Sequence, residues 1–534
     1  MTGAHAVRHD RWPSCCRPHR LEMPLPQLTA PNPHLIDNLP GRSTELCTIT
    51  HRLPSKWRHL TMLPYVQVLA IGLLFVSGAT ISRAETIAII GGTLVDLSNS
   101  GHSGLDVQDA VVLIENDKIL AAGPASQVKP PPHVTRIDAH GKFIIPGLID
   151  GFGALRNQGF ANAYLYEGVT TVYVPTIAPA GGGDGEVEVL KNASLSPRVF
   201  LGAPMTGYSE DGADPSDRPM SDHRLHDVRL TNQQLIKRID TLADQGFRGI
   251  TISYDVWPDQ FDVIVGEAMR RGLATLGEPA FTSYPYAIRA GVDTLPHDDH
   301  FTMELAPTLA KLARADNLAA SREAGRAVCT LDPTSDEATA YAEQLANSHT
   351  SLMPTLAMEA TADLLDVQNP WNARSSVLIN PADIDTPTDQ ATGASGYLAH
   401  AAPERREVIR KCALHKEALD ARFYRLGARF LAGSSAGAYG SLPGSGLHLE
   451  LTLLHRIGLS PKEALAAATT NYADVYGWQD VGRIEPGRVA DLLLLDADPG
   501  ADLAALEQIH ALVFRGKMID RENLLKLHRT GAAP

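Results

Sequence analysis

Cysteine is scarce in this chain, and the cysteine motifs of common metal and redox sites are absent. Five cysteines occur among 534 residues, and three of them stand before residue 62. No C-x-x-C pair occurs, which excludes the usual thiolate zinc site. The two remaining residues, Cys329 and Cys412, can form a disulfide in an oxidising compartment or remain two separate buried thiols. The sequence leaves these two alternatives open.

The chain also lacks a phosphate-binding loop and an excess of basic residues. The three glycines at 181–183 are not followed by the Lys and Ser or Thr that such a loop requires. Nine of the 47 basic residues and four of the 61 acidic residues lie before residue 85. The rest of the chain therefore holds 38 basic and 57 acidic residues, a net charge of −19. An acidic surface repels phosphate backbones, so we expect no nucleic-acid partner.

A short apolar run at 66–76 falls below the ~20 residues that a membrane-spanning helix needs. Small residues follow it, and Ser82 and Ala84 are placed for signal-peptidase cleavage before Glu85. We interpret 62–84 as a cleaved signal peptide rather than a signal anchor or a buried helix. We therefore expect a periplasmic or secreted protein with no stable membrane span after cleavage.

Residues 1–61 precede this signal and form a doubtful N-terminal extension. They are rich in Pro, His and Arg and show no clear periodicity. A signal peptide is poorly placed behind 61 residues, so our hypothesis is that translation begins at or near Met62.

The remaining chain divides into a β-domain in two parts and a long α/β region. Residues 85–145 read as short strands with turns between them, and strand patterns return at 481–534. Between them, 146–480 alternates apolar β runs with amphipathic helical segments such as 232–245. This order predicts a (β/α)8 TIM-type barrel with a small composite β-sandwich domain built from the N- and C-terminal segments.

Several segments carry a family resemblance, in the same order along the chain. They are IIPGLIDGFGA at 144–154, EGVTTV at 167–172, AGVDTLPH at 290–297, the helical stretch 448–477 and GRIEPGRVADLLLLD at 482–496. Together they resemble the metal-dependent amidohydrolase superfamily, and more specifically its imidazolonepropionase and prolidase-like branch. The resemblance covers about 85–520. It implies a lineage of hydrolases that act on C–N bonds other than peptide bonds, such as those of cyclic amides.

The resemblance implies two divalent metals, Zn²⁺ or another, at the C-terminal mouth of the barrel. In that superfamily the metal ligands are a His-x-His on strand one, a Lys on strand four, a His on each of strands five and six, and an Asp on strand eight. In this chain only His297 stands at a ligand position of the matching type. The other positions hold Phe152, Ala154, Thr251, Glu278 and Ser435. A catalytic zinc uses three protein ligands and a water, so we expect no bound metal and a degenerate metal site.

Polar side chains nevertheless remain where side chains of the strands point into the mouth. We predict Glu278, His297, Asp255 and Asp299 as catalytic candidates, because neighbouring carboxylates and an imidazole can exchange protons without metal. We predict Phe152, Thr251 and Ser435 as substrate-binding residues.

Each candidate also has a structural interpretation. Glu278 can bond backbone at a strand end, and His297 can be an ancestral residue that now pairs with Glu278 or Asp299. Ser435 is a nucleophile only with a base in reach. Asp150 is expected deeper in the barrel with a structural role, and Asp298 is expected to face a loop.

Three functions follow from this set of residues. The first is a pseudoenzyme that binds small molecules or partners. The second is a repurposed hydrolase, metal-free or weakly mononuclear, that uses Glu278, His297 and nearby Asp residues. The third alternative is a non-catalytic subunit or scaffold that pairs with an active homologue. The expected partners are a small-molecule substrate or ligand and, in an oligomer, copies of this chain or of a homologue.

Overall fold

The computed structural model describes seven stretches of one compact unit, Thr80–Pro534. These are residues 86–175, 195–209, 228–306, 326–362, 367–384, 389–393 and 401–527. The predicted extension 1–61 and signal peptide 62–84 lie outside them. Within these stretches, no helix combines the length and the apolar character needed to span a membrane.

The N-terminal segment forms five strands of a mostly antiparallel sheet. They are β1 (Thr86–Leu94), β2 (Val107–Glu115), β3 (Lys118–Pro124), β4 (Thr135–Asp138) and β5 (Phe143–Pro146). Strands β1, β2 and β3 pair antiparallel, and a tight turn at 116–117 joins β2 to β3.

Eight short parallel strands follow and form the wall of the barrel. They are interrupted by a two-stranded ribbon, β9 (Tyr208–Ser209) with β10 (Val228–Arg229). The barrel strands are β6 (Leu148–Asp150), β7 (Val169–Val174), β8 (Arg198–Met205), β11 (Gly249–Ile252), β12 (Ala274–Gly277), β13 (Thr294–Pro296), β14 (Ser351–Met353) and β15 (Arg429–Phe430). Each pairs in parallel with its neighbour in chain order.

The first and last barrel strands meet just beyond their ends. The Gly151 amide donates to the Ala432 carbonyl over 3.2 Å, and the Ser434 amide donates to Asp150 Oδ1 over 2.9 Å. These bonds join the residues after β6 to those after β15, which brings both edges of the parallel sheet together.

The helices cover the outside of the barrel and end the chain. They are α1 (Gln158–Tyr166), α2 (Asn232–Asp244), α3 (Pro258–Arg271), α4 (Tyr284–Ala290), α5 (Asp298–Phe301), α6 (Asp336–Ala346), α7 (Leu356–Ala362), α8 (Pro403–Arg425), α9 (Ser445–Arg456), α10 (Pro461–Ala467), α11 (Thr470–Val475) and α12 (Arg521–Leu527). Short 3₁₀ turns occur at Asn99–Gly101, Thr302–Leu305, Pro370–Asn372, Arg374–Leu378, Pro381–Asp383 and Leu503–Glu507.

The chain then returns to the first sheet with β16 (Leu492–Leu495), β17 (Ile509–Phe514) and β18 (Lys517–Ile519). Strand β16 pairs antiparallel with β5, so the N- and C-terminal segments share one eight-stranded sheet. Leu492 and Leu494 are fully buried in an apolar cluster that belongs to this sheet. The predicted fold class, a (β/α)8 barrel with a composite β-domain, is confirmed.

A disulfide joins Cys329 to Cys412, with 4.8 Å between the two Cα atoms. This separation lies within the range that a disulfide spans without moving the backbone. The bond ties the segment between β13 and β14 to α8. Of the two alternatives for these cysteines, the paired form is the one present.

Candidate active site

The C-terminal ends of the barrel strands bring the predicted site residues to one mouth. Glu278 follows β12 and His297 follows β13, while Phe152 and Ser435 lie just beyond β6 and β15. Thr251 lies within β11. In barrels of this type the loops at this end carry the ligand-binding and catalytic groups.

Glu278 and His297 form a pair at the centre of this mouth. Nε2 of His297 lies 3.6 Å from Oε1 of Glu278, and the two residues are only 9% and 5% exposed. The Glu278 amide donates to the Ile252 carbonyl over 3.0 Å, which fixes the carboxylate-bearing residue to the end of β11. Of the two partners predicted for His297, Glu278 is one that it contacts.

His297 is held in a strained backbone conformation. Its φ is +63°, in the left-handed region that non-glycine residues seldom adopt, and that of nearby Thr355 is +55°. The His297 amide donates to the Met353 carbonyl over 3.0 Å, and Nδ1 lies 2.9 Å from Thr355 Oγ1. Strain of this kind is kept where surrounding contacts hold it, and it concentrates at functional sites.

Phe152 and Thr251, which were predicted as substrate-binding residues, have side chains that already make contacts within the protein. The Phe152 ring stands edge-on to the His297 imidazole, with 4.7 Å between ring centres. The Thr251 side chain is fully buried, and its hydroxyl donates to the Pro175 carbonyl over 2.8 Å. Thr251 therefore connects β11 to the end of β7 within the barrel wall.

Of the two further catalytic candidates, Asp255 lies in the loop after β11 and Asp299 lies in the short helix α5. Asp255 accepts hydrogen bonds from the Thr206 hydroxyl and, over 3.4 Å, from the Gly207 amide. It therefore holds the turn that follows β8. Asp299 belongs to α5, directly after His297, and its side chain lies outside the described residues.

Ser435 is buried and has a φ of +50°. Residues 433–437, GSSAG, have the G-x-S-x-G spacing of a nucleophile elbow, with Ser435 at the nucleophile position. In such an elbow a strand turns directly into a helix, whereas α9 begins only at Ser445. Within the described ranges no imidazole or carboxylate is hydrogen-bonded to the Ser435 hydroxyl, so this geometry provides no activated nucleophile.

Asp150 has the structural role expected of it. It is fully buried, and it accepts hydrogen bonds from the Ser434 amide, the Ser434 hydroxyl over 2.5 Å and the Phe152 amide over 3.2 Å. Burial raises the pKa of this carboxyl to about 6, although these hydrogen bonds oppose the shift. Asp150 therefore fixes the junction of the first and last barrel strands.

The expectation that Asp298 faces a loop is wrong. Asp298 is 1% exposed, and its Oδ1 lies 3.3 Å from the ammonium of Lys416 on α8. The same ammonium lies 3.0 Å from Oε2 of Glu359 on α7. A buried ion network therefore stands directly behind His297, and its cation comes from a residue 118 positions away.

Two more carboxyl groups accompany this network, and both are fully buried. Asp420 on α8 has no hydrogen-bond partner at either carboxyl oxygen among the described residues. Glu450 on α9 accepts from the Ala357 amide over 2.7 Å through Oε2, while its Oε1 has no partner within the same ranges. Burial raises the pKa of Asp420 well above its usual value and that of Glu450 to about 8.

Known proteins resemble this chain in sequence. Residues 195–519 match the sequence profile of the Amidohydrolase family. An imidazolonepropionase of Ruegeria sp. is 28% identical over 81% of this chain and 98% of that protein. One of Pseudomonas paraeruginosa is 26% identical over 74% of this chain and 90% of its own length.

Solved structures agree at the level of the fold. A bottromycin amidohydrolase superposes with a TM-score of 0.61 at 21% identity, covering 85% of this chain and 92% of that one. A structure described as a putative prolidase from Bifidobacterium longum gives 0.53 at 20% identity, covering 84% and 99%.

Proposed function

The chain belongs to the amidohydrolase family, and we propose that it is an exported member that binds a small molecule at the barrel mouth without the family's two-metal chemistry. The matching family region, 195–519, spans more than half of the chain. The family's lineage is hydrolysis of C–N bonds, so the ligand we propose contains an amide, a cyclic amide or a related group. The mouth centred on Glu278 and His297 is where it binds.

The set of donor atoms at the mouth carries this proposal. In the family, bound divalent metals acidify a water and polarise the bond that is cleaved. Here Phe152 and Ala154 have no donor atom, and the Thr251 hydroxyl is used by a backbone carbonyl. One imidazole and one carboxylate remain, against the three protein ligands of a catalytic zinc. These residues do not fit a two-metal centre.

The wider surroundings of the mouth support the same proposal. Across the described stretches, no three His, Cys, Asp or Glu side chains are grouped so that they could hold a metal ion. His297 Nδ1 faces Thr355 Oγ1 and its Nε2 side faces Glu278, so both ring nitrogens have neighbours. The imidazole is therefore oriented for contact with a carboxylate or with a ligand.

Export is part of the proposal and has two supports. The sequence at 62–84 has the pattern of a cleaved signal peptide. The Cys329–Cys412 bond is of a kind that persists in the periplasm and outside the cell and is rare in a reducing cytosol. A protein with both features is expected in an oxidising compartment.

Metal analysis of the exported protein tests the proposal. The protein, purified from the periplasm or medium without chelators, is expected to contain far less than one equivalent of zinc, manganese or iron. A matched His297→Ala variant is expected to give the same metal content. One or two equivalents in the wild type, lost in the variant, would contradict the proposal.

A second candidate, hydrolysis without metal, is favoured by the Glu278–His297 contact. A carboxylate 3.6 Å from an imidazole can orient the ring and stabilise its protonated form, so that His297 removes a proton from a water. The expected result is slow hydrolysis of C–N substrates that Glu278→Gln and His297→Ala both abolish. Turnover that persists in both variants would rule this candidate out.

A further inference from the structure

We propose that the small molecule bound at the barrel mouth carries a planar aromatic ring. The ring is held by the exposed aromatic side chains of the loops that follow β11 and β12. This inference rests on the proposed function, because it names the class of ligand that the same mouth takes. Four observations support it, each on a different set of contacts.

The exposed aromatic side chains gather at the mouth. Four aromatic side chains are prominently exposed in the described ranges: Tyr254 at 38%, Trp257 at 41%, Phe281 at 40% and Tyr439 at 37%. All four lie in loops that follow C-terminal ends of barrel strands, namely β11, β12 and β15. Apolar side chains scattered singly over a surface need no explanation, whereas several exposed aromatic side chains at the end of a barrel that carries ligand-binding loops indicate a binding site.

Two of these rings form one surface. The ring centres of Trp257 and Phe281 lie 5.0 Å apart at an angle of 44°. The Phe281 amide donates to the Tyr254 carbonyl over 2.8 Å, so the loop after β12 is joined to the loop after β11. Because both rings remain about 40% exposed, they offer a ligand ring an aromatic surface of the kind with which rings pack in tilted or stacked contacts.

A series of ring contacts leads from Tyr254, on the same loop as Trp257, to the Glu278–His297 pair. Tyr254 stands edge-on to the His300 imidazole at 5.9 Å, and His300 stands edge-on to His297 at 5.4 Å. The Phe152 ring ends this series, with its centre 4.7 Å from the centre of the His297 imidazole. A ligand whose ring lies at the exposed end therefore places its polar group toward the buried carboxylate and imidazole.

The rim is organised before any ligand arrives. The Trp257 indole N–H donates to the Tyr208 hydroxyl, and the Arg229 guanidinium lies 6.0 Å from the centre of the indole ring. The Thr282 hydroxyl donates to the Val256 carbonyl over 2.8 Å, which joins the two loops a second time. Side chains that are already held lose little conformational entropy on binding, which favours a specific contact.

Calorimetric titration with matched amides tests the inference. The full-length exported protein is titrated with N-benzoyl and N-acetyl derivatives of the same amines, which share the C–N bond and differ in the ring. We expect the N-benzoyl compounds to bind about tenfold more tightly. Trp257→Ala is expected to remove that preference without weakening the N-acetyl compounds, and Trp257→Phe is expected to keep most of it.

A control variant and a separate readout keep the outcomes distinct. Met518→Ala removes a side chain that is 47% exposed on β18, in the β-domain, and is expected to leave both affinities unchanged. Equal affinity for the two series overturns the aromatic preference, and so does failure of the N-benzoyl compounds to bind. The metal analysis uses no ligand, so it decides the proposed function independently of this titration.

Discussion

At the scale of single residues, Glu450 shows how burial changes the chemistry of a carboxyl group. Its side chain is fully buried, and burial raises its pKa from 4.5 to about 8, with Asp150 and Asp298 adding to the shift. Unfolding exposes the group and returns its pKa to the ordinary value. At a pH between these two pKa values, the folded protein holds a proton that the unfolded chain releases. Rising pH therefore destabilises the fold over this range.

Replacement of Glu450 by Gln is expected to remove this pH dependence. The Gln side chain is neutral and can still accept from the Ala357 amide. The free energy of unfolding of Glu450→Gln, relative to wild type, is expected to rise from pH 5 to pH 8 by up to about 1.4 kcal/mol per pH unit. Urea titrations at several pH values measure it. A difference that does not change with pH would contradict this account, and the exposed Glu507→Gln is the matched control.

Lys416 is the cation of the buried network behind His297. Its side chain is 9% exposed, and those of Asp298 and Glu359 are 2% and 13% exposed. Lys416→Met keeps a side chain of similar length but takes the ammonium charge away from the two buried carboxylates of Asp298 and Glu359. We expect a loss of about 3–5 kcal/mol in the free energy of unfolding, as for other broken buried ion pairs.

The same helix offers the control for this prediction. Lys411 on α8 pairs with Glu407 at 3.4 Å, and the two side chains are 71% and 46% exposed. Exposed pairs contribute about 0–1 kcal/mol, so Lys411→Met is expected to change the stability little. Equal losses in both variants would show that the Lys416 network has no special role.

The candidate site could be predicted only in part from the sequence. The contact between His297 and Glu278 was among the predicted alternatives, because both follow neighbouring barrel strands. The burial of Asp298 could not be predicted, because its partner Lys416 comes from a distant helix and no local pattern reports that contact. The use of the Thr251 hydroxyl by Pro175 depends likewise on how β7 and β11 pack.

At the scale of secondary-structure elements, local signals were the most reliable. The S-x-x-E sequence at 460–463 forms a capping box at the start of α10, with the Ser460 amide donating to Glu463 Oε2 over 2.8 Å. The helix predicted at 232–245 forms as α2, capped by Thr231. These elements were predictable because caps and amphipathic periodicity act within a few residues.

The disulfide joins two elements that the sequence alone could not place together. Cys412→Ser is expected to lower the free energy of unfolding by about 2–4 kcal/mol, because the bond closes a long loop in the unfolded chain. The two cysteines are 83 residues apart. Urea titration with and without reductant measures this, and reductant is expected to affect the wild type alone. A reductant effect of equal size in Cys412→Ser would contradict the assignment.

At the scale of the whole molecule, the order of segments predicted the fold. Strand patterns at both ends of an alternating α/β region predicted a composite β-domain, and the pairing of β5 with β16 confirms it. The contacts at the mouth were less accessible to sequence reasoning. The line of rings from Phe152 to Tyr254 depends on three segments, those after β6, β11 and β13, which meet only once the barrel closes.

The central claim is that this barrel of the amidohydrolase family keeps its fold without mouth metals. A metal bound by the native state alone raises the melting temperature, and the rise grows with the logarithm of the metal concentration relative to its Kd. Thermal unfolding of the purified protein, in excess zinc and after treatment with EDTA, measures this most directly. We expect the same melting temperature in both conditions for the wild type and for His297→Ala. A zinc-dependent rise in the wild type that EDTA reverses and His297→Ala abolishes would contradict the account.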